Sequence, residues 1–404
     1  LMRLGTGRYE YGWQGIEKEK GIYTINSDNM DYANENGVDV ISLLDYNNTL
    51  YADGSKYGMH NKENIDAYVN YCLAIQKKAP YLKYFEIWNE PNGANWWYPK
   101  KNPTGYSYMA EVAGQELKHV NENAKTLVGV VANGDSSYVN NILEAGLYPS
   151  MDIVANHPYI RPAKVDAAYD RMLSNMTGVI MRHGGWKEQI ITEVGWPTVT
   201  NGTTWEQAAI ELAKQGIAAD YYDIQQNQYY MWGDITSKGN YNPAYGEDNF
   251  GVISSKRDGV DVYKPSVYSI KTMTDMTNGA IFCGKLYFNN DDDIAAYAYA
   301  RDGVIICAVW SKNGEKKISF DNILTGLDMN GNEIESGKEF TIEEKPIYLK
   351  GLDKQLIINS LEKNSTAYMD LYLDESKKVF SESMDKKGFD KAVEILREDA
   401  KRAK

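Results

Sequence analysis

Short apolar runs alternate with stretches of helical periodicity as far as residue 278. Six of these runs have the length and residue types of buried strands: 38–44, 84–88, 127–132, 151–155, 189–192 and 228–232. Residues 2–4 have the composition expected at the end of an earlier strand. Strands that alternate with helices are typical of a parallel sheet with helical crossovers, so we predict an α/β fold.

Apolar positions at spacings of three and four predict helices between the runs. The clearest helices span 62–79, 105–123, 205–225 and 265–277. Thr104 is the expected N-cap of the second helix, and Thr204 with Gln207 has the capping-box spacing of the third. Pro265 suits the first position of the fourth helix.

Two glutamates at the ends of apolar runs give a test of the architecture. Glu193 follows Glu90 by 103 residues, which is three strand–helix units of about 34 residues each. A βα barrel of roughly 250 residues averages about 31 residues per unit. An open doubly wound sheet has similar units, but no glycine-rich phosphate loop follows any of the runs. We therefore predict a (β/α)8 TIM barrel.

The pattern changes after residue 278. Short strand-like runs follow at 281–288, 294–300, 303–310 and 316–320. They predict an antiparallel β-sandwich, within which the acidic turn 289–293 is interpreted as solvated because it lacks the ligand spacing of an EF-hand. The tail is polar and ends in a charged helix at 385–403, typical of a linker or part of a further module. The predicted domains are a catalytic barrel (1–278), a β-sandwich (279–351) and the tail (352–404).

Composition and charge exclude several classes of protein. The 404 residues carry a net charge of −13, which repels nucleic acid, and no Lys/Arg cluster offsets it. No apolar run approaches the length of a membrane span. The 32 Tyr and 9 Trp residues, against 8 Phe, suit hydroxylated ligands such as sugars, although a wet Tyr-rich surface has the same composition.

The three cysteines show neither metal-ligand spacing nor a disulfide framework. Cys72 falls at a core position of the first predicted helix. A disulfide between Cys283 and Cys307 is possible but has no support in the sequence, so the redox compartment is undecided.

Glu90 and Glu193 share a context that is unusual for surface glutamates. Each ends an apolar run, precedes a turn that contains proline, and has a tryptophan nearby. The carboxyl ends of barrel strands line one open face, where active sites form. Paired carboxylates there cleave glycosidic bonds, and at about 5–5.5 Å apart one is the nucleophile while the other serves as acid and then base.

The two motifs resemble those of a known group of enzymes. EIWNEPN, residues 86–92, resembles the acid/base motif on strand 4 of glycoside hydrolase clan A, and ITEVGWPT, residues 191–198, is similar to the nucleophile motif on strand 7. Family 39 and its neighbours are the nearest relatives by this resemblance. The segment 2–23 resembles their strand-2 region, and the segments 247–253 and 264–270 also match. The resemblance covers about residues 1–350.

The resemblance implies a retaining glycoside hydrolase that cleaves β-glycosidic bonds of oligo- or polysaccharides. It makes Glu90 the acid/base and Glu193 the nucleophile. Asn89 is implied to bond the sugar 2-hydroxyl. Arg3 is implied to hold Glu193 ionised, since an adjacent cation favours the charged form.

Aromatic and histidine residues complete the implied binding site. His157 or Tyr159 is implied to bond the nucleophile or the sugar, and Trp232 to form a platform under the reacting ring. Four residues are candidates for stacking at outer subsites, with packing equally open for each: Tyr46, Trp96, Trp97 and Trp196.

One departure from the family pattern concerns the first strand. The resemblance places it before Arg3, where almost no residues lie. We therefore expect it to lie upstream of this sequence or to be replaced by a later segment. The chain begins at Leu1 without a signal peptide, and we expect upstream residues to have been removed.

Two other functions stay open. One is a sugar-binding protein on a decayed glycosidase barrel, with its tail attached to a cell wall or a larger assembly. The other is a transglycosylase that uses the same residues. In every case the expected partner is an oligo- or polysaccharide, the chemistry requires no metal or organic cofactor, and we expect an extracellular or cell-surface location.

Overall fold

A computed structural model describes residues 6–357, except 55, 60, 149, 162, 163, 225, 258, 259, 289 and 290. Arg3, the strand end at 2–4 and the tail helix at 385–403 lie outside the described residues. The chain divides into two compact units. The first unit is made of residues up to Thr203 with Tyr222–Arg257, and the second of Thr204–Tyr221 with the residues after Arg257. The predicted boundaries at 278 and 351 stay predictions.

The first unit contains all seven strands of the parallel sheet and most of the helices that connect them. Its strands are β1 (Thr6–Glu10), β2 (Glu17–Glu19), β3 (Ile22–Tyr23), β4 (Asp39–Leu44), β5 (Tyr84–Ile87), β6 (Lys125–Ala132), β7 (Ile153–His157), β8 (Glu188–Val194), β9 (Asn227–Tyr229) and β10 (Ile253–Arg257). Its helices are α1 (Trp13–Ile16), α2 (Asp28–Glu35), α3 (Lys62–Lys78), α4 (Pro103–Val120), α5 (Ser136–Glu144) and α6 (Val165–Arg182), with a 3₁₀ turn at Gly246–Asn249.

Within the described residues, seven strands form one parallel sheet in the order β1-β4-β5-β6-β7-β8-β9. Gln228 on β9 donates a side-chain hydrogen bond to Thr6 on β1, so the two edge strands meet. The sheet therefore curls into a barrel, as predicted. The ends of β5 and β8, which bear the two glutamates, lie three strands apart around it.

Side chains of the barrel strands separate cleanly into two faces. Val40, Val128 and Val154 belong to the core that the strands share with the helices. Their neighbours Ile41 and Leu127 belong to a small cluster inside the barrel. Successive residues of a strand point to opposite faces, so this alternation is what a barrel covered by helices requires.

The helix predictions are largely confirmed. Helix α3 buries Cys72 completely, as expected of a core position. Helix α4 begins at Pro103 and its N-cap is Asn102, whose side chain accepts a hydrogen bond from the Gly105 amide, so the prediction of Thr104 was wrong. Pro103 is the first residue of α4, and Pro265 is the first residue of a later helix, as predicted. Proline suits this position because its fixed φ is already helical.

The second unit combines helices with antiparallel strands. Its helices are α7 (Trp205–Asp220) and α8 (Pro265–Thr277), and its strands are β11 (Val260–Tyr263), β12 (Ile281–Lys285), β13 (Ile294–Arg301), β14 (Val304–Ser311), β15 (Lys316–Leu327), β16 (Glu333–Ile342) and β17 (Ile347–Lys350). The side chain of Thr204 caps α7 by accepting from the Gln207 amide at 3.1 Å, as predicted.

Strands β12 to β17 form the predicted β-sandwich. They pair in the order β12-β13-β14-β17-β15-β16. The register of β15 shifts between Ser319 and Leu324, and one core cluster takes side chains from both halves of the sheet, including Ala296 and Phe340. The sheet thus closes over its own apolar face.

Two details of the second unit bear on the sequence predictions. Cys283 and Cys307 are free thiols, so the bridge between them is not formed. In the acidic turn, Asp291 and Asp293 pair with Lys316 at 3.1 and 3.3 Å, and the first two residues of the turn lie outside the described residues.

Among the described helices, none is both long enough and apolar enough to cross a membrane.

Candidate active site

The loop after β5 presents Glu90 in a sharp turn. Trp88 and Glu90 both have positive φ, +66° and +47°, a backbone conformation that residues other than glycine rarely adopt. The Glu90 amide donates to the Val130 carbonyl at 3.0 Å, which fixes the turn against β6. Such strained residues cost of order 1–3 kcal/mol each and cluster at functional sites. Here the turn holds the Glu90 carboxylate at the carboxyl end of the barrel.

Glu90 and Glu193 meet across this end of the barrel. One oxygen of each carboxylate and one ring nitrogen of His157 all lie within 4.8 Å of one another. The two glutamate side chains are 15% and 14% exposed, so both are accessible to a ligand. These two oxygens are therefore closer than the roughly 6.5–9.5 Å that leaves room for a water molecule between carboxylates, which favours a nucleophile and acid/base pair. The same three residues form a set that could hold a metal ion.

Arg8 on β1 joins three residues of the site. Its guanidinium donates to Glu193 Oε1 at 2.5 Å, to Asn89 Oδ1 at 3.0 Å and, through Nε, to the fully buried Glu86. Burial acts to lower the pKa of Arg8, but the carboxylates of Glu86 and Glu193 raise it above its ordinary value. Arg8 therefore makes the contact with Glu193 that was predicted for Arg3, which lies outside the described residues.

The contacts of Glu193 favour its ionised form. Burial acts to raise the pKa of its carboxyl, but the electrostatic interactions with His157 and Arg8 and the hydrogen bonds from Tyr159 and Arg8 lower it below the ordinary value. Tyr159 donates to Glu193 Oε2 at 3.0 Å, which is the contact to the nucleophile that the resemblance implies for His157 or Tyr159. Burial, together with the charge of Glu193, raises the pKa of Tyr159 well above its ordinary value, so the hydroxyl stays a donor.

His157 at the end of β7 bridges the site and the barrel wall. Its Nδ1 lies 3.1 Å from Glu90 Oε1 and 3.8 Å from Glu193 Oε2, and its Nε2 lies 3.0 Å from Thr192 Oγ1. The ring is completely buried. Because Thr192 fixes one ring nitrogen, the other is held facing the two carboxylates.

Asn89 is held from two sides. Its Oδ1 accepts from Arg8, and its Nδ2 donates to the Tyr46 hydroxyl at 2.8 Å. Tyr46 in turn stacks on Trp96, with ring centres 5.5 Å apart, and Lys56 Nζ lies 3.4 Å from the Trp96 ring centre. Tyr46 is thus positioned to orient the amide of Asn89, and Trp96 supports Tyr46.

Two tryptophans predicted as stacking candidates are buried instead. Trp97 is fully buried and packs edge-on against Trp88 at 5.0 Å and Tyr106 at 5.8 Å. Trp196 is 4% exposed. A ring without an accessible face cannot stack on a sugar, so burial supports the packing role for both residues.

Trp232, three residues beyond the end of β9, is 55% exposed. The role of Trp232 as a platform under the reacting sugar ring stays a prediction, and substitution of Trp232 tests it. Trp232→Ala should lower turnover by about 10²-fold, because a misplaced substrate loses its reactive geometry. The free energy of unfolding should change by no more than about 0.5 kcal/mol, as for other exposed positions.

Trp186→Ala is the matched control. Trp186 is 52% exposed but precedes β8, at the opposite end of the barrel from the glutamates. It should leave turnover unchanged. A large drop in the melting midpoint of Trp232→Ala would show that Trp232 is a packing residue.

Three residues of the site do not follow from the sequence motifs: Arg8, Glu86 and Thr192. A signal for Glu86 was present, since it lies between Phe85 and Ile87, which face the helices, and therefore faces the barrel interior. A charged residue on the inner face of a barrel strand needs a buried partner. No local signal identifies Arg8 or Thr192, whose partners are remote in sequence or in a different strand.

Comparison with known proteins gives a likeness in structure. No protein-family model matches the chain, and no curated protein sequence does. The structure is similar to a family 39 glycoside hydrolase from Bacteroides cellulosilyticus WH2, with 18% identity, a TM-score of 0.71, and coverage of 85% of this chain and 75% of that one. A family 39 β-xylosidase from Caulobacter crescentus matches with 15% identity, a TM-score of 0.57 and coverage of 84% and 86%.

A third solved structure extends the likeness beyond family 39. The α-L-arabinofuranosidase from Thermotoga maritima matches with 13% identity, a TM-score of 0.51, and coverage of 80% of this chain and 78% of that one. These likenesses span both the barrel and the β-sandwich. The fold implied by the two glutamate motifs is thereby confirmed: the chain has the barrel-and-sandwich fold of family 39 glycoside hydrolases.

Proposed function

We propose that this protein is a retaining glycoside hydrolase that cleaves β-glycosidic bonds of oligo- or polysaccharides. The observation that carries the proposal is the pair of Glu90 and Glu193, with carboxylate oxygens within 4.8 Å at the carboxyl ends of two barrel strands. That spacing suits double displacement, in which one carboxylate forms a covalent bond to the sugar.

Each glutamate takes a different part in the reaction. Glu193, held ionised by Arg8 and Tyr159, attacks the anomeric carbon. Glu90 donates a proton to the departing glycosidic oxygen, and a glycosyl ester forms on Glu193. Glu90 then takes a proton from a water molecule, which attacks the same carbon and releases the sugar with its original configuration.

Asn89, oriented by Tyr46, is proposed to hold the sugar. The Asn89 amide is fixed by Arg8 and Tyr46, so its free lone pair and second N–H keep a constant direction beside Glu90. A hydrogen bond from this amide to the sugar 2-hydroxyl supplies several kcal/mol when it strengthens in the transition state. Because structures of this fold include a β-xylosidase and an α-L-arabinofuranosidase, aryl β-xylosides and aryl α-L-arabinofuranosides belong in the first substrate panel, beside aryl β-glucosides.

The stereochemistry of the product tests this proposal. NMR spectra recorded during the first turnovers of an aryl glycoside should show a sugar with the anomeric configuration of the substrate. Mutarotation later mixes the anomers, so the early spectra decide the matter. An inverted first product would exclude the double-displacement mechanism. A protein that binds sugars but cleaves no member of the panel would be the sugar-binding protein on a decayed barrel.

Excess acceptor sugar separates hydrolysis from transfer. A hydrolase should give mainly the free sugar, whereas a transglycosylase would give mainly the new glycoside.

We further propose that the protein acts outside the cell or at the cell surface, on polysaccharide of a cell wall, with the residues after 351 joining it to a larger assembly. Cell fractionation with an antibody to the barrel would test that location.

A further inference from the structure

We propose that a zinc-type divalent cation binds between Glu90, His157 and Glu193 and reversibly inhibits the enzyme. The inference rests on the proposed function, because it assigns a regulator to the same site. The ion is an inhibitor here and takes no part in glycoside cleavage.

The spacing of the three ligand atoms suits a small tetrahedral site. Bonds of about 2.0–2.2 Å to nitrogen and oxygen place the ligands of a tetrahedral zinc ion about 3.3–3.6 Å apart. His157 Nδ1 lies 3.1 Å from Glu90 Oε1 and 3.8 Å from Glu193 Oε2, and all three ligand atoms lie within 4.8 Å of one another. A shift of one carboxylate oxygen by about 1 Å would therefore bring all three ligand atoms to the distances of a tetrahedral site.

The surroundings hold the ligands ready for an ion. Thr192 Oγ1 lies 3.0 Å from His157 Nε2 and leaves Nδ1 facing the two carboxylates. Such a partner on the second ring nitrogen is what zinc-binding histidines normally have. Tyr159 donates to Glu193 Oε2, and Arg8 contacts the other oxygen, Oε1, so Arg8 does not occupy the proposed ligand atom.

The donor types select the class of ion. One imidazole with two carboxylates suits zinc and its neighbours among the transition metals. Magnesium and calcium need six or more oxygen ligands, which these residues do not supply. The glutamates remain partly exposed, so a water molecule can take the fourth position.

Inhibition follows from the identity of the ligands. A bound ion draws on the oxygen lone pairs of Glu193 needed for attack on the sugar, and it excludes the proton that Glu90 must donate. The ion also fills the space between the carboxylates where the anomeric carbon must lie. Zinc should therefore compete with the substrate.

Calorimetric titration with zinc chloride alone tests the site without any need for activity. The whole chain should be used as the Cys283→Ser variant, because Cys283 is a partly exposed thiol that can bind zinc by itself. We expect His157→Ala to weaken the binding by at least about 100-fold, and Thr192→Val by roughly 10–100-fold. Should His157→Ala fail to fold, Glu90→Gln removes a ligand charge from the same set. Magnesium chloride should give no heat of binding.

His183→Ala is the matched control. His183 is a half-buried histidine that contacts Asn140, away from the glutamates, and its loss should leave zinc binding unchanged. Equal zinc affinity in His157→Ala and the parent would overturn the site, as would zinc inhibition that is not competitive with an aryl glycoside, or a rise in hydrolysis on adding zinc.

The titration and the hydrolysis assay fail in different ways. Zinc binding that depends on His157, in a protein that cleaves no glycoside, would support the site and overturn the hydrolase. Normal hydrolysis with no zinc binding would overturn the site and leave the hydrolase standing.

Discussion

Glu193→Gln should abolish the hydrolysis of every glycoside, whereas Glu90→Ala should still form the glycosyl ester with substrates that have good leaving groups. Without the Glu193 carboxylate no covalent intermediate forms, whatever the leaving group. Loss of Glu90 removes proton donation, which commonly costs about 10²–10⁴-fold. A leaving group such as dinitrophenolate needs no proton, so the first step should survive in Glu90→Ala.

Azide separates the two roles more sharply. It needs no general base, so it should attack the intermediate of Glu90→Ala directly and restore turnover. The product should be a glycosyl azide with the configuration of the substrate. Initial rates on dinitrophenyl and unactivated glycosides, with and without azide, give the measurement.

Glu63→Gln controls for the loss of a carboxylate, because Glu63 lies on the surface with a side chain that is 74% exposed and pairs with Lys20. It should behave as the parent does. Azide rescue of Glu193→Gln with retained configuration would mean that the two assignments are reversed. Full activity in both glutamate variants would place the site elsewhere.

Arg8→Met should cost both activity and stability. Glu86 is fully buried and would lose its cation, and breaking such a buried pair typically costs about 3–5 kcal/mol of the free energy of unfolding. Glu193 would lose the same cation and with it part of what lowers its pKa. Turnover of an aryl glycoside and urea unfolding report the two effects separately.

The double variant Arg8→Met with Glu86→Gln distinguishes the two contacts. It removes the unpaired buried charge, so much of the lost stability should return. Turnover should stay low, because Glu193 still lacks the guanidinium at 2.5 Å. Arg182→Met, at the exposed end of α6, is the control and should change neither quantity by much. Parent-level turnover in Arg8→Met would exclude a role for Arg8 in the reaction.

The choice between Arg3 and Arg8 illustrates what a sequence motif leaves undecided. Both arginines lie in the segment that resembles a strand of clan A enzymes. The pairing of β1 with β4 places Arg8 level with Ile41, which faces the barrel interior, so Arg8 faces it too. That register follows from the packing of the whole sheet and leaves no mark on the local sequence.

The tryptophans make the same point about burial. Trp97 and Trp196 follow predicted strands, Trp232 ends one, and all three lie near proline or glycine, so their local patterns are alike. In the structure the first two are buried and the third is 55% exposed. Which aromatic face remains open depends on how separate loops pack together.

The sequence by itself determined six of the seven barrel strands, four of the helices, the barrel-and-sandwich fold, and the positions of Glu90 and Glu193 at the ends of two strands. These features follow from periodicity and turn chemistry, which act over a few residues. Only the tertiary structure decided that Arg8 and Glu86 belong to the site, that His157 faces both glutamates, and that Trp97 and Trp196 are packing residues. Arg8 and Glu193 lie 185 positions apart, and their contact depends on strand order, register and barrel closure, which arise from the packing of the chain as a whole.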